Sequence, residues 1–162
     1  MPKNYNLSLR PLKQGDKIIF TKYFKDKKMT RWMTSVPQPY TRKDAEKFIR
    51  KKQREAKQKK SYAFTIQLEG EVVGVASIRE IDWKNKRAMI GYWVASAYWN
   101  RGIAERAAKL LVDYAFRELG LNRLEARVMK PNKASQRVLE KSGFKKEGVK
   151  SKRWLINGRW VD

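Results

Sequence analysis

A chain of 162 residues, 41% of them hydrophobic and 34% charged, has the length of one ordinary domain and enough apolar side chains to bury a sizeable core. It contains neither Cys nor His, which excludes disulfides, thiolate zinc sites, cysteine nucleophiles and Ser-His-Asp triads. Its 39 Lys and Arg against 16 Asp and Glu give a formal charge of +23, a field that attracts polyanions and repels cationic substrates such as polyamines.

The first residues, MPKNYNLSLRPL, hold no apolar stretch of the kind that heads a secretory signal. The longest apolar run, Val72 to Ile78, is broken by Gly74 and Ser77 and is far too short to span a bilayer, so a cytoplasmic protein without membrane association is expected. Tyr5, Leu7 and Leu9 alternate with polar residues as a half-buried strand does, and Pro11 closes that segment. A helical region is expected from there to about Phe24. In TRKDAEKFIRKKQREAKQKK, Thr41 stands as an N-cap, and Ala45, Phe48, Ile49 and Ala56 fall near one face of an amphipathic helix. Its remaining faces are densely basic, and that pattern fits either an RNA or ribosome contact or a solvated surface.

YAFTIQL and VVGVASIREI flank the short turn EGE and read as a β-hairpin, and a second hairpin runs through DWKNKR into AMIGYWVA. A strongly apolar helical pattern follows from Gly102 to about Leu119, Gly120 ends it, and RLEARVM reads as a further strand. NKASQRVLEKSG is a shorter helix behind Pro131, and FKKEGVKSKRWLI, the turn NG and RWVD form a last hairpin with a very short second arm. No repeat, low-complexity linker or boundary interrupts this order, so residues 1–162 read as a single domain. The succession predicts an α/β fold with a mixed, mostly antiparallel central sheet of six to seven strands flanked by about four helices. The segment from Met89 to Met129 is then a right-handed strand-helix-strand crossover, whose loop lies where open α/β sheets bind ligands.

That loop is SAYWNRGIAE. A helix starting near Gly102 leaves its first N–H groups without intrahelical partners, and their dipoles favour an anion just outside. Gly102 allows close backbone approach, Ala104 leaves the first turn uncluttered, and Arg101 adds positive charge. The chain has no GxGxxG and no GxxxxGK[ST], the patterns of dinucleotide and nucleoside triphosphate sites.

IGYWVASAYWNRGIAERAAKLL resembles motif A of the GNAT superfamily of N-acetyltransferases, and NKASQRVLEKSGFKKEG resembles its motif B in the form shared by the RimJ/RimL-type branch. SLRPLKQGD and the paired hairpins resemble that branch as well, so the similarity covers almost the whole chain. The resemblance implies the GNAT (acyl-CoA N-acyltransferase) fold and an acetyl-CoA-dependent N-acetyltransferase that modifies a primary amine, with a protein N-terminal amine of the ribosomal-protein type foremost. It implies that the amides of Arg101, Gly102, Ile103 and Ala104, in the loop begun by Asn100, meet the pyrophosphate of acetyl-CoA. Free main-chain groups near Val94 and Ala95 would pair with the pantetheine arm, and Asn132 would hydrogen-bond it, a role compatible with capping the helix after Pro131. Ser135 takes the place of the leaving-group donor, because the tyrosine that many relatives carry four residues before Gly143 is here Leu139. Glu80 stands near where relatives place a base, or is a surface charge. No metal is implied.

The aromatic residues Tyr92, Trp93, Tyr98 and Trp99, with Trp32 and Tyr40, are candidates for a substrate cleft, with alternation placing about half of them in the core. The brevity of RWVD leaves two readings, a final strand cut short in this sequence or a sheet edge completed by a partner, hence a homodimer. Two further readings stay open: acetylation of a small-molecule amine, and an RNA-binding module on the same fold without turnover.

Overall fold

A computed structural model describes residues 4–162. Strand β1 (Leu7–Pro11) is an edge strand, which is why Pro11 is tolerated, and pairs antiparallel with β2 (Tyr62–Leu68), Leu7 facing Leu68. β2 turns back into β3 (Glu71–Asp82) through Glu69 and Gly70, both at positive φ, 50° and 82°. β3 returns into β4 (Arg87–Val94), and β5 (Arg123–Glu125) lies parallel to β4, giving the order β1-β2-β3-β4-β5. The last two strands, β6 (Trp154–Ile156) and β7 (Arg159–Val161), form a separate two-stranded ribbon around Asn157 and Gly158.

The expected six to seven strands are therefore present as seven among the described residues, but only five share the central sheet. Between Phe144 and Arg153 the only large apolar side chains are Phe144 and Val149, so that stretch has no period-2 apolar face to lay beside β5. RLEARVM likewise pairs only over Arg123–Glu125.

Among the described residues five α-helices surround the sheet: α1 (Lys17–Tyr23), the single turn α2 (Lys27–Thr30), α3 (Arg42–Lys57), α4 (Ile103–Arg117) and α5 (Lys133–Lys141). Thr41 caps α3 as expected, accepting from the Asp44 amide while Asp44 accepts from the Thr41 amide. On one sheet face Ile66, Val73, Ile78, Ile90 and Val94 pack against Ile103, Ala107 and Leu111 of α4. On the other, Val75 and Ala95 pack with Phe20, Phe24, Ala45 and Ile49 of α1 and α3. The alternation along β4 decides this division: Ile90, Tyr92 and Val94 face α4, while Trp93 and Ala95 face α1 and α3.

Candidate active site

β4 and β5 are paired only over Arg87–Arg123, Ala88–Leu124 and Met89–Glu125. Beyond Met89 the partner edge of β4 is open, while Ala126 to Met129 run on without regular structure toward α5. Tyr92 lies half-buried in this opening, and its hydroxyl is 2.9 Å from the Ser135 Oγ and 3.3 Å from the Ser135 carbonyl oxygen. Burial raises the Tyr92 pKa above its ordinary value against the opposing effect of the Ser135 hydrogen bond, so the phenol stays a proton donor through neutral pH. Ser135 is held from behind as well, because Asn132 caps α5 and its Oδ1 accepts from the Ser135 amide at 3.3 Å.

At the far end of β4 the chain makes a single 3-10 turn, Ser96–Tyr98, and reaches α4 through two left-handed residues, Asn100 (φ 60°) and Gly102 (φ 71°). No side chain caps α4, and its first main-chain bond runs from the Arg106 N–H to the Gly102 carbonyl at 3.1 Å. The amides of Ile103, Ala104 and Glu105 consequently point outward without helical partners. A Cβ built on Gly102 meets nothing within 4 Å, so the position in front of the positive end of the helix is unobstructed. Ile103 anchors that end in the core at 2% exposure, Ala104 packs half-buried behind it, and Arg101 lies exposed with its guanidinium 5.5 Å from the Tyr98 ring centroid. This donor set fits a diphosphate: several free amides and one exposed cation, with no side-chain cap and with the first-turn Glu105 paired to Lys109 and Lys141.

The main-chain groups at the end of β4 are not equally free. The Ala95 N–H donates to the Val73 carbonyl at 2.8 Å, which corrects the expectation of a free amide there: the sheet itself uses it. Alternation turns the Val94 groups to the opened edge, where the Val94 carbonyl accepts from the Trp99 indole N–H at 2.7 Å. Glu80 is not brought to the Tyr92–Ser135 pair. Tyr92 lies opposite Ala76, four residues back along β3 from Glu80, a separation of about 13 Å at the usual strand rise. Glu80 sits in a bulge at φ 52°, exposed, with its carboxylate 3.6 Å from Arg127 Nη2.

Of the aromatic candidates, Trp93 belongs to the core, with its ring centroid 4.8 Å from Phe24 and 5.4 Å from Phe20, and Tyr40 is buried 4.7 Å from Phe24. Trp32 and Trp99 instead line a groove of about 470 Å³ together with Lys27, Lys28 and Arg31. The partnership of Tyr92 with Ser135 and the indole N–H bond of Trp99 to the Val94 carbonyl were not visible in the sequence. The alternation Ile90, Tyr92, Val94 was the available signal for the first.

Residues 6–145 match the family model described as an acetyltransferase (GNAT) domain. The chain is 31% identical over 158 residues, 96% of this chain and 88% of the other, to the uncharacterized N-acetyltransferase p20 of Bacillus licheniformis. It is 53% identical over 75 residues to YjcK of Bacillus subtilis, named a probable N-acetyltransferase, a match that spans 46% of this chain and 41% of that protein. Among solved structures, RimJ of Mycobacterium smegmatis in complex with CoA-disulfide superposes with a TM-score of 0.88 at 28% identity, covering 96% of this chain and 78% of that one. On the family match over residues 6–145 and the near full-length likeness to p20, the chain belongs to the GNAT family of acetyltransferases.

Proposed function

We propose that this acetyltransferase moves the acetyl group of acetyl-CoA directly to a primary amine, with a protein N-terminal amine as its leading acceptor. The observation that supports this most is the opened edge of β4, lined by the Tyr92–Ser135 pair and leading to the uncapped N-terminus of α4. Acetyl-CoA supplies an acetyl group activated as a thioester. The amides from Arg101 to Ala104 would hold its diphosphate, the Val94 N–H and the amide nitrogen of Asn132 would hold the arm, and the field of α4 would neutralise part of the charge. The Ser135 hydroxyl donates to the departing sulfur as the C–S bond breaks and the C–N bond forms, and Tyr92 fixes its orientation. With Glu80 set apart, the amine's proton passes to water in the open cleft.

Relatives of similar closeness act on different amines: the Escherichia coli ribosomal-protein-serine acetyltransferase is 30% identical over 99 residues, and the Escherichia coli spermidine N(1)-acetyltransferase 34% over 97. A net charge of +23 disfavours approach of a polyamine and favours the first class. Release of free thiol from acetyl-CoA, measured with N-terminal peptides, spermidine and amino acids as acceptors, tests this. Peptide turnover well above that of free amines is expected, and tight RNA binding without thioester consumption would overturn it. The same charge supports salt-sensitive association with ribosomes, and the detached β6–β7 ribbon, with Leu155 and Trp160 exposed at 56% and 62%, supports a homodimer completed at that edge. Salt-insensitive sedimentation apart from ribosomes, and a monomeric mass by light scattering, would remove these two associations.

A further inference from the structure

The groove lined by Lys27, Lys28, Arg31, Trp32 and Trp99 contains no acidic side chain. Among the described residues none of its three cations lies within ion-pair distance of a carboxylate. Unpaired lysines are ordinary in so basic a chain. What sets these apart is their place beside two tryptophans at the end of β4. The Trp99 indole is bonded to the Val94 carbonyl, which joins one wall of the groove to the opened strand edge. Asp26 joins the other: its carboxylate accepts from the Lys28 amide, capping α2, and from the Ser96 hydroxyl in the turn that follows β4. The nearest acid is thus committed to the scaffold, and the cations are left facing the groove.

Resting on the transfer reading above, we propose that this groove receives the residues that follow the acceptor amine and selects acidic ones, so that the preferred acceptor is an N-terminal peptide with Asp or Glu in its next positions. The aromatic walls favour a peptide over a nucleotide. Trp32 has the Arg31 guanidinium over its ring at 4.7 Å, and Trp99 is held by its N–H, so the pair forms apolar sides to a channel and not a clamp for a base. Lys27, Lys28 and Arg31 together give the groove a positive charge that complements an acidic segment.

The test compares kcat/KM for three peptides with the same N-terminal Ser, followed by Asp-Glu, Ala-Ala or Lys-Lys, in the native chain and in a Lys27→Glu/Lys28→Glu variant. Both substitutions fall on exposed positions of α2, so the fold is retained. The native chain is expected to prefer the acidic peptide by at least about tenfold, a preference that shrinks in about 0.5 M salt. The variant loses that preference and gains on the basic peptide, with the neutral peptide and the KM for acetyl-CoA unchanged. Equal turnover of acidic and neutral peptides by the native chain, or an equal loss on both in the variant, overturns the subsite and leaves acetyl transfer standing. No turnover of any amine overturns the transfer reading and the subsite together. Competition by AMP with no effect of acidic residues would assign the groove to a nucleotide and overturn the peptide assignment.

Discussion

Ser135 owes its geometry to two neighbours, the Asn132 side-chain Oδ1 that accepts from its amide and the Tyr92 hydroxyl that meets its Oγ. On the proposed transfer, replacing Ser135 by Ala removes the hydroxyl assigned to the leaving sulfur, and kcat is expected to fall about tenfold to a hundredfold with the KM for acetyl-CoA little changed. Tyr92→Phe leaves the donor but frees its rotamer, so a smaller, few-fold loss is expected. Because burial pushes the Tyr92 pKa upward, the contribution of the pair should persist from neutral pH until the phenol ionises above pH 10, and a pH profile of native chain against Tyr92→Phe reads this directly. A second buried cluster is structural. Asp16, 5% exposed, accepts from both terminal nitrogens of Arg10 at 2.7 and 2.9 Å and from Thr65 at 2.9 Å. Burial alone would raise its carboxyl, but the hydrogen bonds from Arg10, the Lys13 amide and Thr65 outweigh it and hold the group below the usual carboxylate range. A folded pKa below the unfolded value of about 3.9 means that this stability is fully present above the unfolded pKa and is lost as pH falls through the folded one. Asp16→Asn should therefore cost about 3 kcal/mol near neutrality, and the gap between the two melting temperatures should narrow in acid.

At the level of elements, the closest fit is between β3 and β4, where a Cβ on Gly74 would run into the Trp93 carbonyl oxygen and Val94 main chain. Backbone cannot give way as a side-chain tip can, so Gly74→Ala is expected to lower stability by about 3 kcal/mol, roughly 6–12 °C in Tm for a chain of this size, or to abolish folding. Thermal unfolding followed by circular dichroism checks it. A cost of about 1 kcal/mol is expected from Thr41→Ala, which removes the cap of α3. Most of these elements were legible in the sequence because each carries a local signal: Thr41 with Asp44, the Asn157-Gly158 turn, and the apolar stripe of α4. What was not legible depends on tertiary pairing. The short reach of β5, the separation of the β6–β7 ribbon and the commitment of the Ala95 amide to Val73 are set by which strand finds a partner, and no local propensity encodes that. Glu80 shows the same limit, since its distance from Ser135 follows from the β3–β4 register and a bulge between Arg79 and Asp82.

For the whole molecule, helices cover both sheet faces, and the proposed site lies where β4 parts from β5. Among the described residues no helix is long and apolar enough to cross a membrane. The large positive charge acts at longer range than any of these contacts, so ribosome association, if charge drives it, should weaken linearly in the logarithm of salt concentration. The proposed diphosphate site centres on the unobstructed position at Gly102. Calorimetric titration of acetyl-CoA into the native chain, Gly102→Glu and Gly102→Asn is the most direct test, since Asn tolerates the left-handed backbone while Glu brings bulk and negative charge to the diphosphate site. Saturable binding is predicted for the native chain, close to it for Gly102→Asn, and at least about tenfold weaker for Gly102→Glu, whereas a folded native chain that does not bind, or a Gly102→Glu chain that binds as tightly, would contradict the account.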